Sequence, residues 1–389
     1  MKNNSKSSEA RQIVFVNQAT GYLTIDIINC FAEEFDKVAV IYGDIRYQDT
    51  PLHPNVTHSK VIEKSRKSNL KRFFRWVIAT VQIFYLLITK YRGYEIFYFS
   101  VPPFAYLSSL ILRRRFTILM WDVYPDALTM IGIKEKNLIY RLWGKANKKL
   151  FNKAYKLYTI GDALKEKMTQ YVMRNKIYVV PIWSGISEES ECNNAENPFI
   201  KKHNLEGKFI IQYSGNIGAG HNIETLLEAA KLTVYDEDII YLIVGRGTKV
   251  ETVKHLIKKH NLTNCRLLSF QPDDMIKYSL SAADLNVVLI EDKLAKVSIP
   301  SKVYNLMAVG SPIISIAPKD SEICKMINLF GNGRNFEKND VKALVTFIRS
   351  MKKSPGSIES YRERSFRASQ CFKPANSKRI LEIYKDSHQ

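Results

Sequence analysis

Three stretches in the second half of the chain combine glycines and cations in a way that suits an anion. Ser214 to Gly220 carries Gly215, Gly218 and Gly220, with Asn216 inside it and His221 just behind. Glycines there admit positive φ and let a ligand approach the backbone, and the helical pattern that follows offers unpaired N–H groups and a positive dipole end. Gly245-Arg246-Gly247 repeats the glycine turn with a cation in it. Pro300-Ser301-Lys302 opens another helical pattern, with proline suited to its first position and Gly310 to its end. A phosphate fits such a constellation. The glycines read G-x-x-G-x-G, which is not the dinucleotide fingerprint, and no Gly-Lys-Ser/Thr follows to make a P-loop. In the first half, Asp122 and Asp126 flank a Tyr-Pro turn. Carboxylates so placed can bind sugar hydroxyls or exchange protons, and Asp is equally a common turn former. Asp236-Glu237-Asp238 precedes its strand, which puts it at the edge away from the ligand side. His53/His58 and His255/His260 are each five apart, so no metal site is implied.

The elements that must position these residues alternate strand and helix. Ile13 to Val16 is a strand, Asn17 to Gly21 a loop, a helix runs through Phe35, and Val38 to Tyr42 is the next strand. Such βαβ units build parallel sheets whose ligands lie beyond the carboxyl ends of the strands, which brings Gly21 into the candidate set. Glu95–Phe99, Phe116–Met120, Leu157–Ile160 and Ile177–Val180 are further strands; Asp122 follows the second of these and Gly161-Asp162 the third. The alternation restarts at Phe209 and continues through 239–244, 266–270, 285–290 and 312–316. The expected organisation is a polar, disordered 1–12, a domain over 13–185, a linker over 186–207, a second domain over 208–370 and a terminal helix in 371–389.

Composition narrows the function classes. The 389 residues carry +20 net charge, and the first 187 hold 29 Lys+Arg against 14 Asp+Glu. A basic field of that kind meets nucleic acid, anionic lipid or a phosphorylated substrate. No nucleic-acid-binding signature accompanies it. Seven Lys and Arg lie between Lys60 and Arg75, with Phe73, Phe74 and Trp76 among their end. The apolar run Trp76 to Thr89 is too short to span a bilayer, but a helix flanked by cations and aromatics can lie on anionic lipid. Five scattered cysteines without a C-x-x-C pair argue for a reducing compartment, and the polar N-terminus lacks a signal-peptide core.

With YSGNIGAGHNIETLLEAA, VGRG, IPSKVYNLMAVGSPII and APKDSE in this order, residues 205–340 resemble the retaining glycosyltransferases of family 4. WDVYPDA, YTIGDALKEKM and VVPIW of the first half are similar more loosely. The resemblance implies the α/β GT-B architecture, two Rossmann-like doubly wound domains facing across a cleft. It implies a nucleotide-sugar donor, UDP-linked, as substrate, with no cofactor and no metal. It also implies a polyprenyl-diphosphate-linked acceptor in surface-polysaccharide synthesis, at the cytoplasmic face of a membrane. Carried over by position, the donor contacts are Gly215, Asn216, Gly218, His221, Gly245, Arg246, Ser301, Lys302, Asn305 and Glu322. The acceptor contacts are Gly21, Asp122, Asp126, Gly161 and Asp162, and the catalytic groups Asp122 and Lys302. The family's diphosphate-clamping Arg and Lys fall on Asn216 and His221, and its two glutamates on Val297 and Asn305. Those departures leave two rivals open, a nucleotide-sugar 2-epimerase of the same architecture and a non-catalytic subunit.

Overall fold

The computed structural model describes residues 10–46, 50–65, 68–131, 134–186, 196–218, 221–290 and 300–386. Gly220, Val297, Arg66, Lys67 and Cys192 lie outside them. The chain divides into two compact units, Met1–Ile182 with Pro374–Gln389, and Trp183–Lys373.

The first unit runs β1 (Gln12–Thr20), α1 (Tyr22–Ala32), β2 (Lys37–Ile45), β3 (Val56–Lys60), α2 (Asn69–Ile88), β4 (Glu95–Phe99), β5 (Phe116–Met120), α3 (Leu138–Lys153), β6 (Leu157–Thr159), α4 (Asp162–Met168) and β7 (Ile177–Val179). Its parallel sheet has the order β3-β2-β1-β4-β5-β6-β7. Ile13, Val14, Phe15 and Val16 are wholly buried, as expected for a strand covered on both faces. The expected loop from Asn17 is instead strand as far as Thr20. Its polar side chains bond inside the fold, Asn17 donating to Thr24 Oγ1 (2.8 Å) and Gln18 to the Ile62 carbonyl (2.8 Å), while Gln18 Oε1 is buried without a partner.

The second unit runs α5 (Pro198–His203), β8 (Phe209–Asn216), α6 (Ile223–Leu232), β9 (Ile239–Arg246), α7 (Val250–Lys259), β10 (Cys265–Leu268), α8 (Asp273–Ser281), β11 (Leu285–Leu289), α9 (Lys302–Ala308), β12 (Ile313–Ile316), α10 (Glu322–Phe330), β13 (Gly333–Phe336), α11 (Val341–Lys352) and α12 (Pro355–Ser369). Its sheet is also parallel, in the order β10-β9-β8-β11-β12-β13. Ile223, Leu226, Leu227 and Ala230 of α6 are buried, the face their spacing predicts.

Two elements lie outside the stretches expected for the two domains. Phe199 and Ile200 of α5, within the expected linker, join Leu205 and Ile210 in the second unit's core. The C-terminal helix α13 (Ala375–Lys385) belongs to the first unit. There the Tyr384 ring packs on Phe31 and Phe35 of α1, and its carbonyl accepts from Tyr155 Oη (2.9 Å).

At the carboxyl end of β8 the backbones of two neighbouring strands approach closely. Gly215 and Gly245 are register partners with φ of 143° and 155°. A Cβ on Gly245 would lie 1.8 Å from the Gly215 carbonyl oxygen. Gly245→Ala therefore combines a disfavoured φ with a backbone clash, and should cost at least about 3 kcal/mol in chemical denaturation. Gly21→Ala, where a Cβ meets nothing within 4 Å, should change stability by less than about 0.5 kcal/mol.

Candidate functional site

In each sheet the strand order reverses once, between β1 and β4 and between β8 and β11. Open α/β sheets bind ligands beyond the carboxyl ends of the strands at this switch point. Gly215, Asn216 and Gly245 lie at strand ends in the second unit, and Gly21 and Asp122 follow strand ends in the first.

In the second unit, β8 ends in Tyr213, Ser214, Gly215 and Asn216. The Lys302 ammonium, from the first turn of α9, donates to the Ser214 carbonyl at 3.1 Å and lies 3.9 Å from the centre of the Tyr213 ring. A side chain at 215 would meet it, since a Cβ there would be 3.2 Å from Nζ; glycine makes room for the cation. Lys302 keeps partial solvent contact by surface area, yet its amino group is enclosed enough that desolvation lowers its pKa from 10.5 to about 7. His221 lies on the same side, its ring 6.1 Å from that of Tyr213. Its Nδ1 is buried without a partner. Burial first, then Lys302 and Lys249, push its pKa down. Lys249 bonds the His221 carbonyl (3.1 Å) and Glu224 (3.1 Å). Arg246 is exposed, its guanidinium 4.7 Å from the Phe270 ring centre. The arrangement holds the Lys302 amino group poorly hydrated beside a glycine turn, a setting in which a cation can meet an anion.

Other donor candidates are placed differently. The helix after Pro300 begins at Lys302, because Ser301 is only its N-cap and makes no side-chain capping bond. Asn305 Oδ1 already accepts from Ser184 Oγ (2.9 Å) and Gly185 N (3.2 Å). Its oxygen thereby pins the start of this unit, leaving the amide N–H groups for a donor hydroxyl. Glu322 pairs with Lys325 at 2.7 Å.

In the first unit, Asp122 follows β5, where Ser100 Oγ accepts from its backbone N–H (3.3 Å). Its side chain reaches solvent, yet burial still raises its pKa, and Lys64 opposes that rise. β5 pairs with β6, so Gly161 and Asp162, which follow β6, neighbour this turn. Gly161 caps α4, and Asp162 is an exposed first-turn carboxylate there. Gly21 caps α1 beyond β1.

Asp126 is a correction. It is 4 % exposed and accepts from Tyr140 Oη (3.0 Å), Gln170 Nε2 (2.9 Å) and Tyr171 Oη (2.7 Å). It therefore holds the turn together and is not available to an acceptor. Tyr213 and Lys249 escaped the sequence reading as site residues, since each meets its partners across distant elements, and Lys64 entered it only as a member of the basic cluster. Asp236 and Asp238 pair with Arg349 (2.8 Å) and Lys352 (3.1 Å). Among the described residues no group of three His, Cys, Asp or Glu could hold a metal.

Two parallel doubly wound units, one with a glycine turn and an enclosed lysine at its switch point, have the GT-B fold. Residues 195–368 match the family described as Glycosyl transferases group 1, and two curated relatives that carry the glycosyltransferase name align along most of the chain. The chain is 27% identical over 349 residues, 87% of each chain, to WbjE of Pseudomonas aeruginosa, named as a probable glycosyltransferase. It is 25% identical over 323 residues, 79% of each chain, to WcaI of Escherichia coli (strain K12), named for colanic acid biosynthesis as a glycosyl transferase. The crystal structure of Anabaena Alr3699/HepE in complex with UDP-glucose has the same fold, with a TM-score of 0.70 at 14% identity over 96% of this chain and 98% of that one.

Proposed function

We propose that this protein is a glycosyltransferase that moves a sugar from a UDP-sugar to a lipid-linked oligosaccharide in surface-polysaccharide synthesis, without metal and with retention of configuration. The observation that carries the donor half is the Lys302 ammonium at the β8 turn. A UDP-glucose complex of the same fold and a relative named for colanic acid synthesis support it. In this reading Lys302, His221, Arg246 and the glycine-turn N–H groups take the diphosphate. Asp122 faces the acceptor hydroxyl, and retention rests on the family resemblance. Lys302→Ala should weaken UDP-glucose at least tenfold by calorimetry in excess EDTA, and uridine less than twofold. Equal loss for both ligands would remove Lys302 from the diphosphate. A requirement for Mg²⁺ would remove metal independence.

The acceptor half draws on α2. Trp76, Ala79, Ile83 and Leu87 bury one face of this helix, while Leu70, Phe74, Val81 and Tyr85 on the other are 66, 56, 64 and 63 % exposed. Each such side chain left in water forgoes about 1.5–3 kcal/mol, and Lys71 and Arg75 stand exposed beside them. Among the described residues no helix is long and apolar enough to cross a membrane. An amphipathic helix lying in an anionic interface fits this composition. Val81→Asp with Phe74→Ser should reduce sedimentation with phosphatidylglycerol vesicles at least fivefold. Unchanged sedimentation would sink the interfacial role.

A further inference from the structure

Lys302 sits on a helix too short to hold its own direction. α9 has seven residues, and a helix of two turns owes its place to tertiary contacts rather than to its own hydrogen bonds. Its first turn is tied to the end of β8 by the bond from Lys302 Nζ to the Ser214 carbonyl, while Ser301 caps it without a side-chain bond. One turn further on, the helix is gripped by the two segments through which the chain enters and leaves this unit, at Trp183 and at Lys373. Asn305 Oδ1 accepts from Ser184 Oγ (2.9 Å) and Gly185 N (3.2 Å) on the entry side. On the exit side the buried rings of Tyr304 and Phe372 meet edge-on at 4.8 Å. Entry and exit are joined in turn, Ser184 N donating to the Phe372 carbonyl (3.2 Å).

Ser184 is the hub of this grip. It is 6 % exposed. Its hydroxyl donates to Asn305 and accepts from Ile186 N (2.9 Å), so one side chain both ties α9 to the entry segment and closes the turn of that segment. A bond so enclosed is costly to leave unmade. The same contacts fix the Asn305 amide. A backbone N–H can only donate, so the atom facing Gly185 is the oxygen, and the amide N–H groups point away from the entry segment. Residues three apart share one side of a helix, which places the Asn305 side chain one turn from Lys302. A shift of Asn305 is therefore a shift of the lysine.

We infer that Ser184 is a positioning residue for the donor: through Asn305 it sets the direction of α9 and with it the Lys302 ammonium, and a donor held by Lys302 in return stiffens the entry segment 184–186. This rests on the donor reading above and deepens it. The second half follows from the first, because a coupling free energy between two places acts equally in both directions. The oxygen of Asn305 serves the grip, and its N–H groups stay on the side of the helix that the lysine shares.

Calorimetry with UDP-glucose and uridine on the full-length protein, together with amide hydrogen exchange, tests both halves. Ser184→Ala should weaken UDP-glucose at least fivefold and uridine less than twofold, and the retained uridine shows that the variant folds. Added to Lys302→Ala, Ser184→Ala should cost less than twofold more, because a residue that acts through the lysine has nothing left to act on. Saturating UDP-glucose should slow exchange of the Gly185 and Ile186 amides at least tenfold in the wild type and less than twofold in Lys302→Ala, an arm that needs no substitution at 184. Unchanged UDP-glucose affinity in Ser184→Ala would overturn the inference, and so would an equal loss of uridine. A further fivefold loss on top of Lys302→Ala would also overturn it, since Ser184 would then act without the lysine. Exchange at 185 and 186 that ignores UDP-glucose would remove the reciprocal half. A wild type without affinity for UDP-glucose would defeat the donor reading and this inference with it, whereas tight binding that ignores Ser184 defeats this inference alone.

Discussion

Between pH 7 and pH 9 the protein should lose UDP-glucose affinity, by up to tenfold per pH unit, and Lys302→Met should flatten that loss. In the free protein, desolvation against Tyr213 and the 215 turn holds Lys302 near a pKa of about 7. A bound diphosphate favours the charged form, so above pH 7 binding must take up a proton. One proton per ligand sets the limit of a factor of ten per unit. The groups facing Lys302 from neighbouring elements do not reverse the sign. His221 is pushed down, chiefly by burial, and Lys249 is committed to Glu224. Stability should move the other way. A lysine whose folded pKa is depressed below 10.5 burdens the fold fully while it is charged in both states, at pH below about 7. The burden lifts as pH rises towards 10.5, because the unfolded chain then binds more protons than the folded one. Apo melting temperature should therefore contain a component rising from pH 7 to 9 that Lys302→Met lacks. Calorimetry in two buffers of different ionisation enthalpy counts the proton directly. Uptake of none at pH 8, or the same uptake in Lys302→Met, would show that this lysine does not couple to donor binding.

How much of this was legible beforehand depends on how local each signal is. The glycine turn after β8 and the buried face of α6 were readable because strand, turn and helix succeed one another within a few residues. The Pro300-Ser301-Lys302 motif was readable too, but not the enclosure of its ammonium, which needs Tyr213 and Gly215 from another strand. β3 (VTHSK) and β13 (GRNF) were missed because neither carries a strong apolar run. β13 is an edge strand whose Gly333 is demanded by the neighbouring chain, a Cβ there lying 1.8 Å from the Ile313 carbonyl oxygen. The basic cluster was visible as charge, but its division into exposed and half-buried members depends on α2 starting at Asn69, seven residues before the apolar run. Asn305 shows the limit of positional carry-over: the position matched a ligand, but hydrogen bonds from Ser184 and Gly185, far away in sequence, already occupy its oxygen.

Asp126→Ala should destabilise the protein by about 3–5 kcal/mol, with UDP-glucose affinity unchanged under conditions where the variant is folded. The carboxylate is buried and serves three donors from two directions, Tyr140 on α3 and Gln170 and Tyr171 beyond α4. Truncation strands these donors, at about 1–3 kcal/mol for each that stays dry, and some relief by water keeps the sum below their total. The cost is collective, since the same turn is also tied to α3 through Asn147, whose amide donates to the Tyr124 carbonyl. Asn147 in turn accepts from Tyr106 Oη (2.8 Å), itself bonded by Trp143 Nε1 (2.7 Å). Through this network Asp126 fixes the turn that presents Asp122, so its influence on an acceptor is positional. Asp126→Asn retains an acceptor oxygen and the size of the side chain, while its amide brings N–H groups among hydroxyls that can rotate to accept. It should therefore recover at least half of the lost stability. Urea unfolding of the wild type and both variants tests the order. Wild-type stability in Asp126→Ala, together with lost binding of farnesyl diphosphate as a soluble stand-in for the lipid-linked acceptor, would instead make Asp126 a ligand contact and restore the reading its sequence position suggests.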